Sequence, residues 1–546
     1  MYQYFKSYEN KDAYAHLGRM YYEGLGIFKD YEKAEEYFKK CEDTPEGKCG
    51  LGRMNLDSAL DGMKPSKAEK YLKESADSGN PEAQYYYALC PKIKSDVAFE
   101  YCKKSVENGF VKACCLLGKM YFYGKVTEKN LINAFSNFQL SAEQGFHDGQ
   151  YWLGQMYLNG YATDVDYSKA YELFKLSSEQ DDSDAMCGLG IMHYEGKFVE
   201  QSFEKAFDWF TKSASFNNSR GLHWLGRLYL EGNGIGKEYK SALEFFKLSA
   251  EQNNSDGQRY LGYMYGAGLG IPRDDKEAFK YYKLSADQGN GISQYQVGQR
   301  YLFGMGISRD YENAYKYLKS SMENGIEDSY SLLGELYRDG KGIEKNDEEA
   351  LKHIKLGAER NQPHGLYCLG DLYLDSDLLP QNFEEAFKYF DLSAEQGYSK
   401  AQCWLGVLYQ MGKGVEQDYS KAIEYLELSA KQGYSTAQWI LGFTYLCEIG
   451  QKGQKVRGIE YLQKSAATGN AIAKWLSERL LADKVVSQGV IMNGIISKVV
   501  DWFSDEKVVK RCNEEAAKYF KLAVETGNSD AQWCLGELYQ EGRGVI

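Results

Sequence analysis

The chain has 546 residues, and 43% of them are hydrophobic, so it can bury a core and wholesale disorder is excluded. Its 56 glycines stand beside only 7 prolines, which excludes collagen-like and proline-rich classes. The formal net charge of −13 disfavours nucleic acid as a partner unless the basic residues gather on one face. At about 150 residues per domain, the length predicts several domains or one long repeat array.

The N-terminal residues predict neither secretion nor a membrane anchor. The opening sequence MYQYFKSYENKDAY contains no apolar run of the signal-peptide type. No apolar stretch reaches the roughly 18 residues that a transmembrane helix needs. We therefore expect a cytoplasmic protein without a membrane span.

The twelve cysteines include no C-x-x-C pair, which is the usual spacing of a thiol metal site or redox motif. Six of them stand two or three residues before a recurring glycine, namely Cys49, Cys115, Cys187, Cys368, Cys403 and Cys534. This place on one type of helix predicts small, semi-buried side chains. We expect reduced core thiols in a reducing compartment, and a disulfide framework is the alternative.

A Leu-Gly dipeptide, or a near variant, recurs along the chain, and its glycine serves as the origin of each repeat. From Gly118 to Gly442 every step is 36 residues. Ala88 and Ser477 replace the glycine in two units, which gives about fifteen units in all. The origin glycines are Gly18, Gly52, Gly118, Gly154, Gly190, Gly226, Gly262, Gly298, Gly334, Gly370, Gly406, Gly442 and Gly536.

The residues around each origin predict a first helix. A small residue stands five positions before it, Leu or Val one before it, and Tyr three after it in nearly every unit. At about 100° per residue these positions share one apolar face. The small residues predict close approach of a neighbouring helix. The sequence G-x-G-[IV] follows in many units and predicts that the helix ends there in a turn.

A second helix follows in each unit. Asp or Asn stands twelve residues after the origin and predicts a helix N-cap, as at Asp166 and Asp310. Ala comes at sixteen and an aromatic residue or Leu near twenty. Gly, Asn or Asp at twenty-seven predicts a left-handed residue at the helix end. Each unit is therefore predicted to be helix, turn, helix, turn, which makes the fold class all-α.

Breaks in the period predict four segments. Residues 1–112 hold irregular repeats, with Pro91 to Asp96 in place of a glycine turn, and residues 113–480 hold the regular 36-residue repeats. Residues 481–511 form an amphipathic insertion within a repeat, which either packs back on the array or docks a partner. Residues 512–546 hold the C-terminal repeat helices and a cap. Whether the chain ends naturally at Ile546 stays open.

The motif A-x-x-x-L-G-x-x-Y-x-x-G-x-G-[IV], followed by D-x-x-K-A and S-A-E-Q-G, resembles the Sel1-like repeat (SLR) family. That family is a relative of the tetratricopeptide repeats. The resemblance covers nearly the whole chain. It implies a right-handed α-solenoid superhelix that serves as a protein-interaction scaffold or adaptor, assembling a multiprotein or signalling complex through its concave groove.

The motifs of enzyme chemistry are missing from the sequence. The G-x-G pairs end helices and do not connect a strand to a helix, so no phosphate-binding loop is predicted. The six histidines form no H-x-x-x-H or H-E-x-x-H pair, so we expect no metal site. No acid pair stands apart from the repeat pattern. We expect no catalytic residue, no cofactor and no small-molecule substrate.

The positions three before and one after the origin lie on the helix face opposite the core positions, and by analogy with tetratricopeptide solenoids they line the concave groove. Their aromatic and mixed-charge side chains predict a site for an extended peptide or helix with an acidic and a basic segment; a merely solvated surface is the alternative. The predicted groove residues are Tyr151, Gln155, His223, Arg227, Arg259, Tyr263, Tyr295, Gln299, Glu335, Tyr367, Asp371, Trp439 and Phe443.

The sequence leaves two further points open. The aromatic residues two before the origin either pack between units or contact a ligand: Trp152, Trp224, Tyr260 and Trp404. The resemblance also leaves three alternative functions, which are an adaptor in endoplasmic-reticulum-associated degradation, a regulatory array of a larger enzyme, and a β-lactamase-like SLR protein. The missing signal sequence argues against the first, and the lack of a Cys pair in most units argues against the last.

Overall fold

A computed structural model describes residues 2–474 except residues 7, 9, 58–63, 125, 127, 375, 447–452, 471 and 472. The described residues form 27 α-helices joined by turns and contain no strand, which confirms the all-α prediction. Contacts divide the chain into two units, Met1–Asp274 and Asp275–Ile546. The predicted insertion at 481–511 and the terminal segment 512–546 lie outside the described residues, and the four-segment division stays a prediction.

The helices of the first unit are α1 (Tyr2–Lys6), α2 (Lys11–Glu23), α3 (Tyr31–Lys40), α4 (Pro45–Leu56), α5 (Pro65–Asp77), α6 (Pro81–Ala88), α7 (Ser95–Glu107), α8 (Lys112–Tyr123), α9 (Leu131–Glu143), α10 (His147–Asn159), α11 (Tyr167–Ser178), α12 (Ser183–Glu195), α13 (Phe203–Ser215), α14 (Ser219–Glu231), α15 (Tyr239–Glu251) and α16 (Ser255–Ala267). The even-numbered helices carry the origin residues and are the predicted first helices. Helix α6 is shorter than its counterparts, because the Pro91 to Asp96 segment replaces the glycine turn.

The helices of the second unit are α17 (Asp275–Asp287), α18 (Gly291–Phe303), α19 (Tyr311–Glu323), α20 (Ser329–Asp339), α21 (Asp347–Glu359), α22 (Pro363–Leu374), α23 (Phe383–Glu395), α24 (Ser399–Met411), α25 (Tyr419–Lys431), α26 (Ser435–Leu446) and α27 (Lys455–Ala467). The alternation of first and second helices continues. In both units consecutive helices pack against each other, so each unit is an α-solenoid of stacked helix pairs.

First helices of successive repeats contact each other, as α12 with α14 in the first unit and α20 with α22 in the second. In the part of the chain that the structure describes, second helices of successive repeats make fewer contacts with each other than first helices do. The first helices therefore lie on the inner side of each stack. We call the surface formed by their residues one after the origin, such as Arg227 and Glu335, the inner face.

The origin glycines whose surroundings the structure describes lie against the second helix of their own repeat. A Cβ atom on Gly226 would stand 2.7 Å from Cε1 of Phe246, and one on Gly190 would stand 2.4 Å from Cε1 of Phe210. Both rings are fully buried. This contact confirms that the small residue allows close packing of the two helices.

The turns follow the predicted chemistry. Gly232 ends α14 with a φ of 78°, and its N–H donates to the Leu228 carbonyl. Asn217, twenty-seven residues after its origin, has a φ of 56°, as predicted for that position. The Asp310 carboxylate caps α19 by accepting from the Asn313 N–H at 3.0 Å. Glycine and asparagine are thus used where the backbone turns left-handed.

A buried serine in the second helix joins the two helices of most described repeats, and the sequence prediction missed it. The Ser213 hydroxyl donates to the Ser183 carbonyl at the start of α12, over 2.7 Å. The same bond recurs from Ser249 to Ser219 at 2.7 Å. A Cβ on Gly221 of the next repeat would stand 2.5 Å from the Ser213 Oγ. The serine therefore fills the space where three helices meet.

The aromatic residues two before the origin pack between repeats, which answers one of the open points. Trp224 stacks on Phe210 of the preceding repeat, with ring centroids 5.3 Å apart and an interplanar angle of 10°. Tyr260 stacks on Phe246 in the same way, at 5.0 Å and 6°. These pairs continue the core from one repeat to the next.

We expect Ser213→Ala to destabilise α12 and α13, because the Ser183 carbonyl loses its buried donor. The local cost is about 1–2 kcal/mol. Native-state hydrogen exchange checks this as faster exchange in both helices. Ser215→Ala on the same helix is the control, since Ser215 is exposed, and it shifts stability by less than about 0.5 kcal/mol. Equal exchange in the two variants would contradict the role of the buried serine.

We expect Gly226→Ala to destabilise the protein although alanine is the better helix former. Contact of the new Cβ with the Phe246 ring costs about 1–3 kcal/mol, more than the roughly 1 kcal/mol gained in helix propensity. Urea unfolding followed by circular dichroism measures the change. Gly236→Ala is the control, because no atom lies within 4 Å of its Cβ position. A Gly226→Ala variant as stable as the wild type would show that the helices can separate freely.

Candidate functional site

The structure places the predicted groove residues of the first unit at different depths. Tyr263 is 46% exposed, whereas Gln155, Arg227 and Arg259 are half-buried. Tyr151 and His223, which stand three before their origins, are buried at 8% and 5% exposure, whereas Arg259 at the same register is half-buried. The depth of one register position therefore differs from repeat to repeat.

The Arg227 guanidinium lies against aromatic rings of three first helices. Its guanidinium carbon lies 4.4 Å from the centroid of Trp224 and 5.3 Å from that of Tyr194. It also lies 5.7 Å from the centroid of Tyr260 on α16, in the next repeat. Its Nη2 donates to Glu231 over 2.9 Å. These contacts with three rings and one carboxylate fix the position of the guanidinium.

Two further arginines stand beside it, and we call Arg220, Arg227 and Arg259 the arginine cluster. The Arg259 guanidinium carbon lies 4.1 Å from the Tyr260 centroid. Arg220 donates to the hydroxyl of Tyr151, two repeats away in sequence. Sequence reasoning missed Arg220, which stands six residues before its origin and was not among the positions considered.

His223 is buried beneath the arginine cluster. Its ring lies 5.2 Å from that of Tyr260 and 5.9 Å from that of Phe246. Burial lowers the pKa of His223 well below its ordinary value near 6.5, and the positive charges of Arg227, Arg259 and Arg220 lower it further. The imidazole is therefore neutral in the folded protein at neutral pH.

We expect His223 to make the first unit sensitive to acid. The pKa of His223 is depressed in the folded state, so the folded protein keeps its full stability above about pH 6.5. Below that value the unfolded state takes up a proton on His223 that the folded state does not, and the free energy of unfolding falls. The loss is at most about 1.4 kcal/mol per pH unit. Thermal melts at pH 7 and pH 5 check this.

The variant His223→Gln, which stays neutral, is expected to lose less stability than the wild type between those two pH values. His16→Gln is the control, because His16 is exposed. Equal pH dependence in His223→Gln and wild type would show that another group sets the acid sensitivity.

In the second unit Tyr295, Gln299, Glu335, Tyr367, Asp371 and Trp439 are half-buried, and Phe443 is buried. Gln299 donates to the Tyr295 hydroxyl over 2.8 Å. Glu335 and Asp371 come close to the same arginine, since Arg338 donates to Asp371 over 3.2 Å and its charge also acts on Glu335. Trp439 packs on a small apolar cluster at α27.

Glu335 also meets two residues that sequence reasoning did not bring together, and we call Glu335, His364 and Cys368 the ligand cluster. The His364 Nε2 lies 3.2 Å from Glu335 Oε2 and 3.5 Å from the Cys368 Sγ. The Cys368 Sγ lies 3.7 Å from Glu335 Oε1. His364 and Cys368 are four residues apart on α22, and Glu335 comes from α20 of the preceding repeat.

The environment of Cys368 does not activate its thiol as a nucleophile. Cys368 is only 1% exposed, and burial together with the Glu335 charge raises the pKa of its thiol well above the ordinary value. Burial opposes the ionisation of Glu335, but His364 and Arg338 outweigh it and lower the pKa of Glu335 to about 2. Burial raises the pKa of Asp371 against the effect of Arg338.

A cleft of about 470 Å³ opens among the first helices of the N-terminal repeats, and sequence reasoning missed it. Arg53 lines it and donates to Glu23 over 2.9 Å and to Glu82 over 2.6 Å. Arg19 also donates to Glu82. These charges are paired with one another within the cleft.

The cysteines lie in the core. Nine of the twelve fall within the described residues, and all nine are buried free thiols.

None of the described helices combines the length and the apolar character needed to cross a bilayer.

Three solved structures are similar to this chain. A protective antigen present in uropathogenic Escherichia coli strains, which displays an SLR fold, is 25% identical with a TM-score of 0.50 and covers 79% of this chain and 94% of its own. A Sel1 repeat protein from Oxalobacter formigenes is 25% identical, with a TM-score of 0.37, and covers 56% of this chain and 88% of its own. Yeast Tom70 is 15% identical, with a TM-score of 0.32, and covers 89% and 99%.

The family model for the Sel1 repeat matches twelve segments between residues 11 and 470 and a further one near the C-terminus. The matched residues are 11–40, 45–80, 111–146, 147–182, 183–215, 219–254, 255–290, 291–326, 328–362, 363–398, 399–434, 435–470 and 529–546. They cover most of the chain, and the segments between residues 11 and 470 follow the helix pairs of the described repeats. The chain therefore belongs to the Sel1 repeat family.

Proposed function

We propose that this protein is a non-enzymatic scaffold or adaptor that binds protein segments along its inner face and so assembles a multiprotein complex. Its membership of the Sel1 repeat family supports this, because such repeats generally serve protein interaction. The nine buried thiols support the prediction of a reducing, cytoplasmic compartment.

The arginine cluster is the observation that carries the proposal. Arg227 and Arg259 are half-buried and stacked on rings of Trp224 and Tyr260, so their guanidinium groups are ordered before a partner arrives. Arginine and aromatic side chains in such partly desolvated settings are typical hot spots of protein interfaces. A planar guanidinium also matches a carboxylate in two parallel hydrogen bonds.

The arginine cluster favours a partner with acidic side chains, because a guanidinium group matches a carboxylate in two parallel hydrogen bonds. Within the protein, Asp184, Glu231 and Asp256 each contact one arginine of the cluster, so three positive charges face three carboxylates. An extended or helical segment with acidic side chains and one aromatic residue would complement this arrangement. The exposed ring of Tyr263, one repeat further along, offers an apolar contact for such a segment.

We expect the double variant Arg227→Gln, Arg259→Gln to lose its partner while it stays folded. Each arginine is expected to contribute about 1–2 kcal/mol to binding, so affinity falls by at least about tenfold. Quantitative affinity purification from the source cells identifies the partner, and titration of the purified pair measures the affinity. Binding is expected to weaken further as the salt concentration rises.

The matched control is Lys205→Gln, Lys240→Gln, which removes the same charge from exposed positions outside the first helices. Helix content by circular dichroism is expected to be unchanged in both double variants. Equal recovery and affinity for the two variants would refute the arginine cluster as the binding surface.

A further inference from the structure

We propose that Glu335, His364 and Cys368 bind one Zn²⁺ ion as three ligands of a tetrahedral site. One ligand atom from each residue lies within 4.8 Å of the other two. Among the residues that the structure describes, no other three metal-ligating side chains converge in this way. A carboxylate, an imidazole and a thiolate together are a ligand set that suits Zn²⁺.

The distances fit a tetrahedron around zinc. Zinc bonds of about 2.0 Å to nitrogen and oxygen and about 2.3 Å to sulfur separate tetrahedral ligands by about 3.3 Å for N to O and about 3.5 Å for S to N or O. The observed separations are 3.2 Å from Nε2 of His364 to Oε2 of Glu335, 3.5 Å from Nε2 to the Cys368 sulfur, and 3.7 Å from that sulfur to Oε1 of Glu335. Because two different oxygens of Glu335 make these approaches, a turn of the carboxylate brings one of them into the tetrahedron, and the helices need not move.

A second layer of side chains fixes the histidine. The His364 Nδ1 lies 2.7 Å from the Tyr398 hydroxyl, on the side of the ring away from the ligand cluster. An Nδ1–H that donates to this oxygen leaves the lone pair of Nε2 directed at Cys368 and Glu335. Metal-binding histidines are commonly oriented by such an outer hydrogen bond. A thiolate and a carboxylate also balance the two positive charges of the ion.

The repeat architecture explains why the three side chains meet. At such a junction the residue one after the origin faces the residues six and two before the next origin. At two other junctions these positions hold a base, an acid and an aromatic ring. In one of them Lys119 pairs with Asp148 at 3.5 Å and lies 5.6 Å from the Trp152 centroid.

The same arrangement holds for Arg53, which pairs with Glu82 at 2.6 Å and lies 4.7 Å from the Tyr86 centroid. At the Glu335 junction all three positions hold metal-ligating residues. Cys368 stands where other repeats carry the stacking aromatic ring, and Ile354 replaces the phenylalanine on which that ring would stack. The paired loss of both rings leaves room for an ion between the first helices.

The test uses the purified full chain, stripped with a chelator and then titrated with Zn²⁺ or with Co²⁺ as a spectroscopic probe. Wild type is expected to bind about one equivalent of Co²⁺ with intense tetrahedral absorption and a thiolate-to-cobalt charge-transfer band, and Zn²⁺ should displace it. Cys368→Ser and His364→Gln are expected to lose the charge-transfer band or at least tenfold in affinity. Tyr398→Phe should weaken Zn²⁺ binding by about tenfold, with the band retained.

Cys403→Ser is the matched control, because Cys403 is also buried, at 3% exposure, on the first helix of the following repeat. It is expected to bind metal like the wild type. Wild type that binds neither ion would overturn the proposal, and so would binding that Cys368→Ser and His364→Gln leave unchanged. The wild-type titration and the conservative Tyr398→Phe variant keep the test decisive even if removal of a buried ligand disturbs folding.

Discussion

The close contact between each origin glycine and the side chain opposite it determines how a repeat is built. At Gly226 the Phe246 ring occupies the space that any larger side chain would need, and at Gly334 the branched Ile354 does the same. Because the two helices meet at this distance, the serine three residues beyond that side chain can reach the carbonyl at the start of the first helix, as Ser213 reaches Ser183. First helices of adjacent repeats also contact each other, and their residues form the inner face.

Features that depend only on neighbouring residues could be predicted from the sequence. The cap at Asp310 and the left-handed residue Asn217 were predicted because backbone conformation and side chain act within a few residues there. The bond from Ser213 was not predicted, since its partner lies 30 residues away and is defined by packing. The depth of the groove residues was equally hard to predict, because a small rotation of a first helix buries His223 and leaves Tyr263 exposed.

The candidate sites show the same division between local and distant information. Arg227 and Glu335 were predicted as groove residues from their register alone. His364 and Cys368 were not predicted to meet Glu335, because His364 has no second histidine at a ligand spacing and Glu335 comes from the preceding repeat. Aligning the sequence with itself at the 36-residue period places His364 opposite Asp328 and Cys368 opposite Leu332, seven and three residues before Glu335. In a repeat protein such comparison across the junction carries information that spacing within one helix does not.

The junction between first helices is therefore the place where one repeat can differ chemically from the next without loss of the fold. The glycine, the serine and the capping residue maintain the helix pair. The three junction positions are not needed for that contact, so they can hold Arg53 with Glu82 and Tyr86 in one repeat, or a ligand cluster in another. Changes on the first helices can therefore place arginines in one unit and metal-ligating residue types in the other, because the backbone that presents them stays the same.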